Sequence, residues 1–114
     1  MSQQNISLLS LPLTLSGTVA SNRFVTAAGA QAGADAATLG VARFGGAAAD
    51  KVTVDVIGTA IIESGAAIAA GATLKSDASG RAITWATSGA KVGIALQAAT
   101  AAGQMIEILL LPNA

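Results

Sequence analysis

Lys51-Val52-Thr53-Val54-Asp55-Val56-Ile57 is the stretch on which the reading of this chain turns. Its valines recur at every second position with Thr53 and Asp55 between them, the period of a strand with one face buried and one face wet. The same period returns in Val92, Ile94 and Leu96, and again in Ile106, Ile108 and Leu110, where Glu107 takes the opposite side. Ile83 and Trp85 share a face as well. Upstream of them, Ser76-Asp77-Ala78-Ser79-Gly80 is turn chemistry, since Asp caps its own backbone and Gly accepts positive φ at the end of a type I turn. Thr73 to Lys75 and Arg81 to Trp85 are therefore the two arms of a hairpin.

The chain is rich in Ala, the strongest intrinsic helix former, and glycine decides against a helical fold. Between Gly17 and Gly103 the longest Gly-free intervals run from Gly17 to Gly29 and from Gly46 to Gly58, and the second holds the β-branched run. Ala27 to Leu39 and Ile94 to Ala102 supply at most a helical turn or two, neither long enough to be stable unaided. Short strands separated by Gly-bearing turns predict an all-β fold: a small β-barrel or sandwich-like domain with an extended N-terminal arm and at most short helical turns.

With 114 residues the chain builds one core. It is 53% hydrophobic but 3% aromatic, so its apolar character comes in small pieces and each buried side chain removes little area from water. A domain of this size is marginal on such side chains, and an oligomer or an assembly partner is expected. His, Cys and Tyr are absent, which excludes His- and Cys-based nucleophiles, thiolate and imidazole metal sites and a disulfide framework. Six basic and six acidic residues leave net charge zero, with no electrostatic footprint for nucleic acid or an anionic membrane. Gly, Ser, Thr and charges interrupt every apolar run before the roughly 20 residues that a bilayer needs. No basic residue precedes Arg23 to make the start of a signal peptide, so a soluble, unprocessed chain is expected.

Ser88-Gly89-Ala90-Lys91 matches the S-x-x-K string of serine acyltransferases without its companion elements, and a solvated hairpin turn is the better reading. Gly29-Ala30-Gln31-Ala32-Gly33 lies outside any apolar 20-mer and reads as a loop. Asn5-Ile6-Ser7 is a sequon by string only. Asp50 and Asp55 fall on opposite faces of a strand and make no carboxylate pair. No catalytic residue, metal, cofactor or small-molecule substrate is expected.

Three features look outward. Trp85, the only Trp, is either a core plug or an anchor at a subunit interface. Leu109 and Leu111 are apolar where a half-buried edge strand wants polar residues, so either a partner covers them or the strand is buried on both faces. Leu9, Leu11, Leu13 and Leu15 alternate with Ser10, Pro12, Thr14 and Ser16, a strand that Pro12 confines to an edge. Ile6 and Leu8 fall out of phase with them and require a bulge or bend near Leu8-Leu9. Extended, the first 22 residues reach up to about 70 Å. They are expected to form an arm that adds a strand to a neighbour, with the edge of its own sheet as the alternative.

Leu39-Gly40-Val41-Ala42-Arg43, Val52 through Ala60, Ala66 through Gly71, Ser76 through Ala82, and Val92-Gly93-Ile94-Ala95-Leu96 with Ala101-Ala102-Gly103 together resemble the capsid cement or decoration proteins of tailed bacteriophages. The resemblance spans approximately Arg23 to Leu111. It implies a β-barrel-like decoration domain, taken as residues 23–114, and the arm of residues 1–22 lies outside it. It also implies a protein that binds the outside of an expanded icosahedral head, often as a homotrimer, and holds neighbouring major capsid subunits together. On that reading Leu9, Leu11, Pro12, Leu13 and Leu15 contact a capsid subunit or a neighbouring copy. Trp85, Leu109 and Leu111 then lie between subunits. A structural piece of a phage tail or fibre is the competing assignment; an enzyme is disfavoured by the empty inventory of catalytic groups.

Overall fold

β-Branched strands separated by glycine turns bury their apolar faces only by pairing side by side, and here they do so in a nearly closed sheet. The computed structural model describes residues 6–111. Within them run β1 (Ser7–Thr14), β2 (Arg23–Val25), β3 (Gly40–Ala42), β4 (Lys51–Glu63), β5 (Thr73–Ser76), β6 (Ala82–Thr84), β7 (Gly93–Ala95) and β8 (Met105–Leu110). The strands lie in the order β2-β3-β4-β8-β7-β5-β6, with β1 paired to β4 off that path. A parallel bridge from Ser64 to Ala82 brings β6 back to the end of β4 and closes the barrel. The Phe24 N–H, donated to the Gly80 carbonyl at 2.8 Å, ties β2 to the β5–β6 turn.

No described residue is helical, and no helix among them is long and apolar enough to cross a membrane. Positive φ at Gly29 and Asp35 breaks the first Ala-rich stretch into turns, and the second is divided between β7 and a loop bridged from Ala99 to Ile68. The hairpin is where its turn chemistry places it: β5 pairs with β6. The Asp77 carboxylate accepts the N–H groups of Ser79 at 2.8 Å and Arg81 at 2.9 Å.

Strand β4 organises the molecule because it carries a core on each side. Val54 pairs with Ala42, and both belong to a smaller cluster with Leu15, Val19, Val25 and Val52. Its neighbour Asp55 pairs with Val41, which belongs to the barrel core with Phe24, Ile62, Leu74, Ile106 and Ile108. Asp55 is therefore buried, at 1% exposure, where the alternation predicted a solvated face. Arg43 neutralises it, with Nε 3.4 Å from Oδ2 and Nη2 bonded to Oδ1. Val52 and Val54 face the smaller cluster while Ala60 and Ile62 face the barrel, an even-numbered series that changes sides. Register shifts on both sides of Leu9, where first Leu8 and then Val56 is left unmatched, make that change. The bulge expected near Leu8-Leu9 is thus real, and it has a counterpart on β4.

The N-terminal strand does not leave its own chain. β1 pairs antiparallel with β4 from Ser7–Gly58 to Thr14–Lys51, so the edge of its own sheet replaces the expected strand addition to a neighbour. The physical reason is the smaller core: Leu15 and Val19 fill it from the N-terminal side of residue 22 and Val25, Val52 and Val54 from the other. Removing this strand would uncover Val52 and Val54 of β4. Pro12 sits at the edge as its chemistry requires. The Leu15 N–H is donated to Asp50 O, so odd-numbered residues of β1 direct their amides at β4 and Pro12 faces the open side.

One strand is turned over relative to its pattern. Gly93 and Ala95 face the barrel, while Ile94 is half-buried and Leu96 exposed. Gly93 pairs with Leu110 and Ala95 with Ile108, so the large residues of β8 occupy the space. A Cβ at Gly93 would stand 2.8 Å from the Leu109 carbonyl oxygen.

Candidate docking interface

Cross-strand partners in an antiparallel sheet project on the same side, and the register here strings six outward residues around the barrel. The Ile6 N–H is donated to Thr59 Oγ1 at 2.9 Å, and the Thr59 N–H to Ile6 O at 2.8 Å. Thr59 pairs with Leu109, Leu109 with Ile94 and Ile94 with Thr73. The Trp85 N–H is donated to Thr73 O at 2.8 Å. At the usual strand spacing this row is about 24 Å long. Beside its Ile6 end stands the pair Leu9 and Ile57, which continues the side of β4 that Val52 and Val54 bury. The smaller core and the open row both lie on the outer side of the curled sheet, which the smaller core covers only at the β1–β3 end.

The leucines of β1 record where the cover stops. Leu15 is 2% exposed, Leu13 is half-buried against the smaller cluster, Leu11 is 37% exposed and Leu9 is 41% exposed. Pro12 is exposed on the open edge. Leu109 is 37% exposed, and Leu111, half-buried, donates its N–H to Val92 O beyond the end of β8. Trp85 is no core plug: it lies half-buried outside both clusters. Its Nε1–H is donated to Gly89 O at 2.9 Å, and the Lys91 ammonium stands 4.4 Å from the ring centroid. Leu9, Leu11, Leu109 and Trp85 thus all lie on the outside of the barrel, spread around it from β1 to the end of β6, while Leu15 is interior. Ile6, Ile57 and Ile94 were not among the interface residues expected from the sequence, although the adjacent apolar pair Val56-Ile57 ahead of Gly58 signals the phase change that exposes Ile57.

Charge is spent inside the molecule. Glu63 Oε2 lies 3.2 Å from Arg23 Nη2 and 3.7 Å from Arg81 Nη1, and Arg81 Nε lies 3.3 Å from Asp77 Oδ2. This network joins β2, the end of β4 and the β5–β6 turn. Asp35 Oδ1 lies 2.9 Å from Lys75 Nζ. The hydrogen bond from Lys75, and after it that from Ser88, hold the Asp35 carboxyl below its ordinary 3.8, against a smaller opposing effect of burial. Among the described residues there is no pocket and no group of acidic side chains placed to share a metal ion. What the outer surface offers is a set of exposed apolar side chains, Ile6, Leu9, Leu11, Ile57 and Leu109, with Thr59 and Thr73 among them.

The comparisons with known proteins agree with this architecture. The crystal structure of the head fiber gp8.5 N base in bacteriophage phi29 superposes with a TM-score of 0.73 over 92% of this chain and 95% of that one. The identity is 17%, so the likeness is one of fold. Among curated proteins none shows significant similarity to the chain. The family model described as phage cement protein matches residues 2–110. A match over nearly the whole chain, on an all-strand barrel, means that the chain belongs to the phage cement protein family, structural proteins of the virion.

Proposed function

We propose that the chain binds the outer surface of an expanded bacteriophage head and cements neighbouring major capsid subunits, acting as a homotrimer and without catalysis. The observation that carries this reading is the family match over residues 2–110. Exposed Ile6, Leu9, Leu11, Ile57 and Leu109 on the outside of a barrel that shows no pocket among its described residues support it. In this reading β1 is the capsid-facing edge of the domain, rooted in it through Leu15 and Val19. Leu9 and Leu11 contact the shell from β1, Pro12 keeps that edge open, and Leu13 and Leu15 hold the strand down. Trp85, Leu109 and Leu111 meet a neighbouring copy farther round the barrel. The likeness to a head-fiber base favours a place on the head over one in the tail.

The test is addition of the purified chain to expanded and to unexpanded heads of its phage, with bound copies counted per particle. Hundreds of copies on expanded heads, and heads that then survive heating longer, are the expected result. Equal binding to both forms, or a handful of copies per particle, would overturn the proposal in favour of a tail or fibre component.

A further inference from the structure

Residues 85–92 connect β6 to β7 without regular structure, yet the loop is pinned, and the pin is Asp35. Ser88 Oγ donates to Asp35 Oδ2 at 3.1 Å. Lys75 Nζ, 2.9 Å from Asp35 Oδ1, also donates to Ser88 O at 3.3 Å. The Ala90 N–H is donated to Asp35 O at 3.3 Å, and the Asp35 N–H to Ser76 O at 3.1 Å, which anchors the group on the end of β5. Gly89 lies so close that a Cβ there would stand 2.8 to 2.9 Å from the Asp35 side chain. The Gly89 carbonyl in turn accepts the Trp85 indole N–H. Asp35 itself adopts φ of 62°, a left-handed conformation that Asp and Asn tolerate better than most residues.

We infer that Asp35 is a positioning residue for Trp85: its carboxylate, held by Lys75, clamps Ser88 and Gly89 and so fixes the indole at the end of the docking row. The inference rests on the proposed function only for what the fixed ring is used for. Lys75 on β5 is the ionic partner of Asp35, Lys91 lies on the indole, and the next acid along, Asp77, is engaged by Arg81. Protonation of Asp35 removes the charge that Lys75 and Ser88 bind, and the clamp loosens.

Trp85 is the only Trp in the chain, so its fluorescence reports the clamp in the free protein. Asp35→Asn keeps the size and the tolerance of left-handed φ while removing the charge; Lys75→Met and Ser88→Ala remove the partners. In each variant at neutral pH, acrylamide quenching of Trp85 is expected to rise roughly twofold as a half-buried ring comes free, with an unchanged far-ultraviolet circular dichroism spectrum. In the wild type the same rise is expected on acidification through the Asp35 titration, and Asp35→Asn should show no such transition. Quenching at the wild-type level in both Asp35→Asn and Lys75→Met would overturn the inference. Head binding by Trp85→Ala is a separate measurement: normal binding there would remove the ring from the docking surface and leave the fluorescence result standing.

Discussion

The leucines of β1 grade from core to surface along one strand, so truncating them one at a time separates folding from docking. Leu15 is 2% exposed and packs with Val19, Val25, Val52 and Val54. Leucine-to-alanine changes in cores cost about 2.7–5 kcal/mol, rising with the cavity left behind. The site borders a loop, since a Cβ on Gly46 would stand 3.1 Å from Leu15 Cδ1, so part of the void can close and about 2–3.5 kcal/mol is the working figure. For a domain near 100 residues that lowers the melting temperature by roughly 10–25 °C. It is a large part of the roughly 5–15 kcal/mol such a domain has. Leu9, at 41% exposure, should cost no more than about 1 kcal/mol when cut to Ala. Urea denaturation followed by circular dichroism measures both, with the slope of the transition checking that the unfolded states match. Head binding should respond in the opposite order, Leu9→Ala weakening it and Leu15→Ala sparing it at temperatures where the fold survives. A Leu15→Ala protein within about 0.5 kcal/mol of wild type would refute the reasoning, because it would mean that β1 does not complete the smaller core of its own chain.

Gly58 has φ of 110°, and a Cβ there would stand 2.2 Å from Ile6 O; Gly58→Ala should cost about 2–4 kcal/mol in thermal unfolding and loosen the first turn of β1 in hydrogen exchange. Asp55→Ala leaves Arg43 without its buried partner and should cost about 2–4 kcal/mol in urea, whereas the pair Arg43→Met with Asp55→Leu should recover most of it. Since Asp35 has a depressed carboxyl pKa in the folded chain, the stability it contributes is complete above the ordinary aspartate value near 4 and is lost as pH falls through the folded value. The urea midpoint of wild type should therefore drop more than that of Asp35→Asn between pH 5 and pH 3.

Much of the architecture was legible from local chemistry. The runs at Val52 and Ile106 and the turn at Asp77 dictate strands and a hairpin that need nothing from the rest of the chain. Pro12 announces an edge, and the phase slip at Leu8 announces a bulge. What the sequence could not disclose is set by objects far away in the chain. Asp55 looks solvated until Val41 and the barrel core are laid on its side of β4. Gly93 and Ala95 look like the outer face of their strand until Ile108 and Leu110 claim the interior. Whether β1 stays home depends on Leu15 and Val19 sharing a cluster with Val25, a closure that no local period reveals. Of the docking face, Leu9, Leu11, Leu109 and Trp85 were visible singly. Their alignment through Thr59, Ile94 and Thr73 follows only from the register.

The inward use of charge sets the conditions under which a contact through this face holds. With Arg23, Arg43, Lys75 and Arg81 already answered by acids of the same chain, the proposed adhesion through Leu9, Ile57 and Leu109 would carry little ionic component for salt to screen beyond the Lys91 ammonium at Trp85. Molar salt should leave such a coat in place, and excluded ions such as sulfate should tighten it. Cooling acts the other way, because apolar contact weakens as temperature falls. A particle dressed in this chain would shed it in the cold, or in detergent, before it shed it in brine.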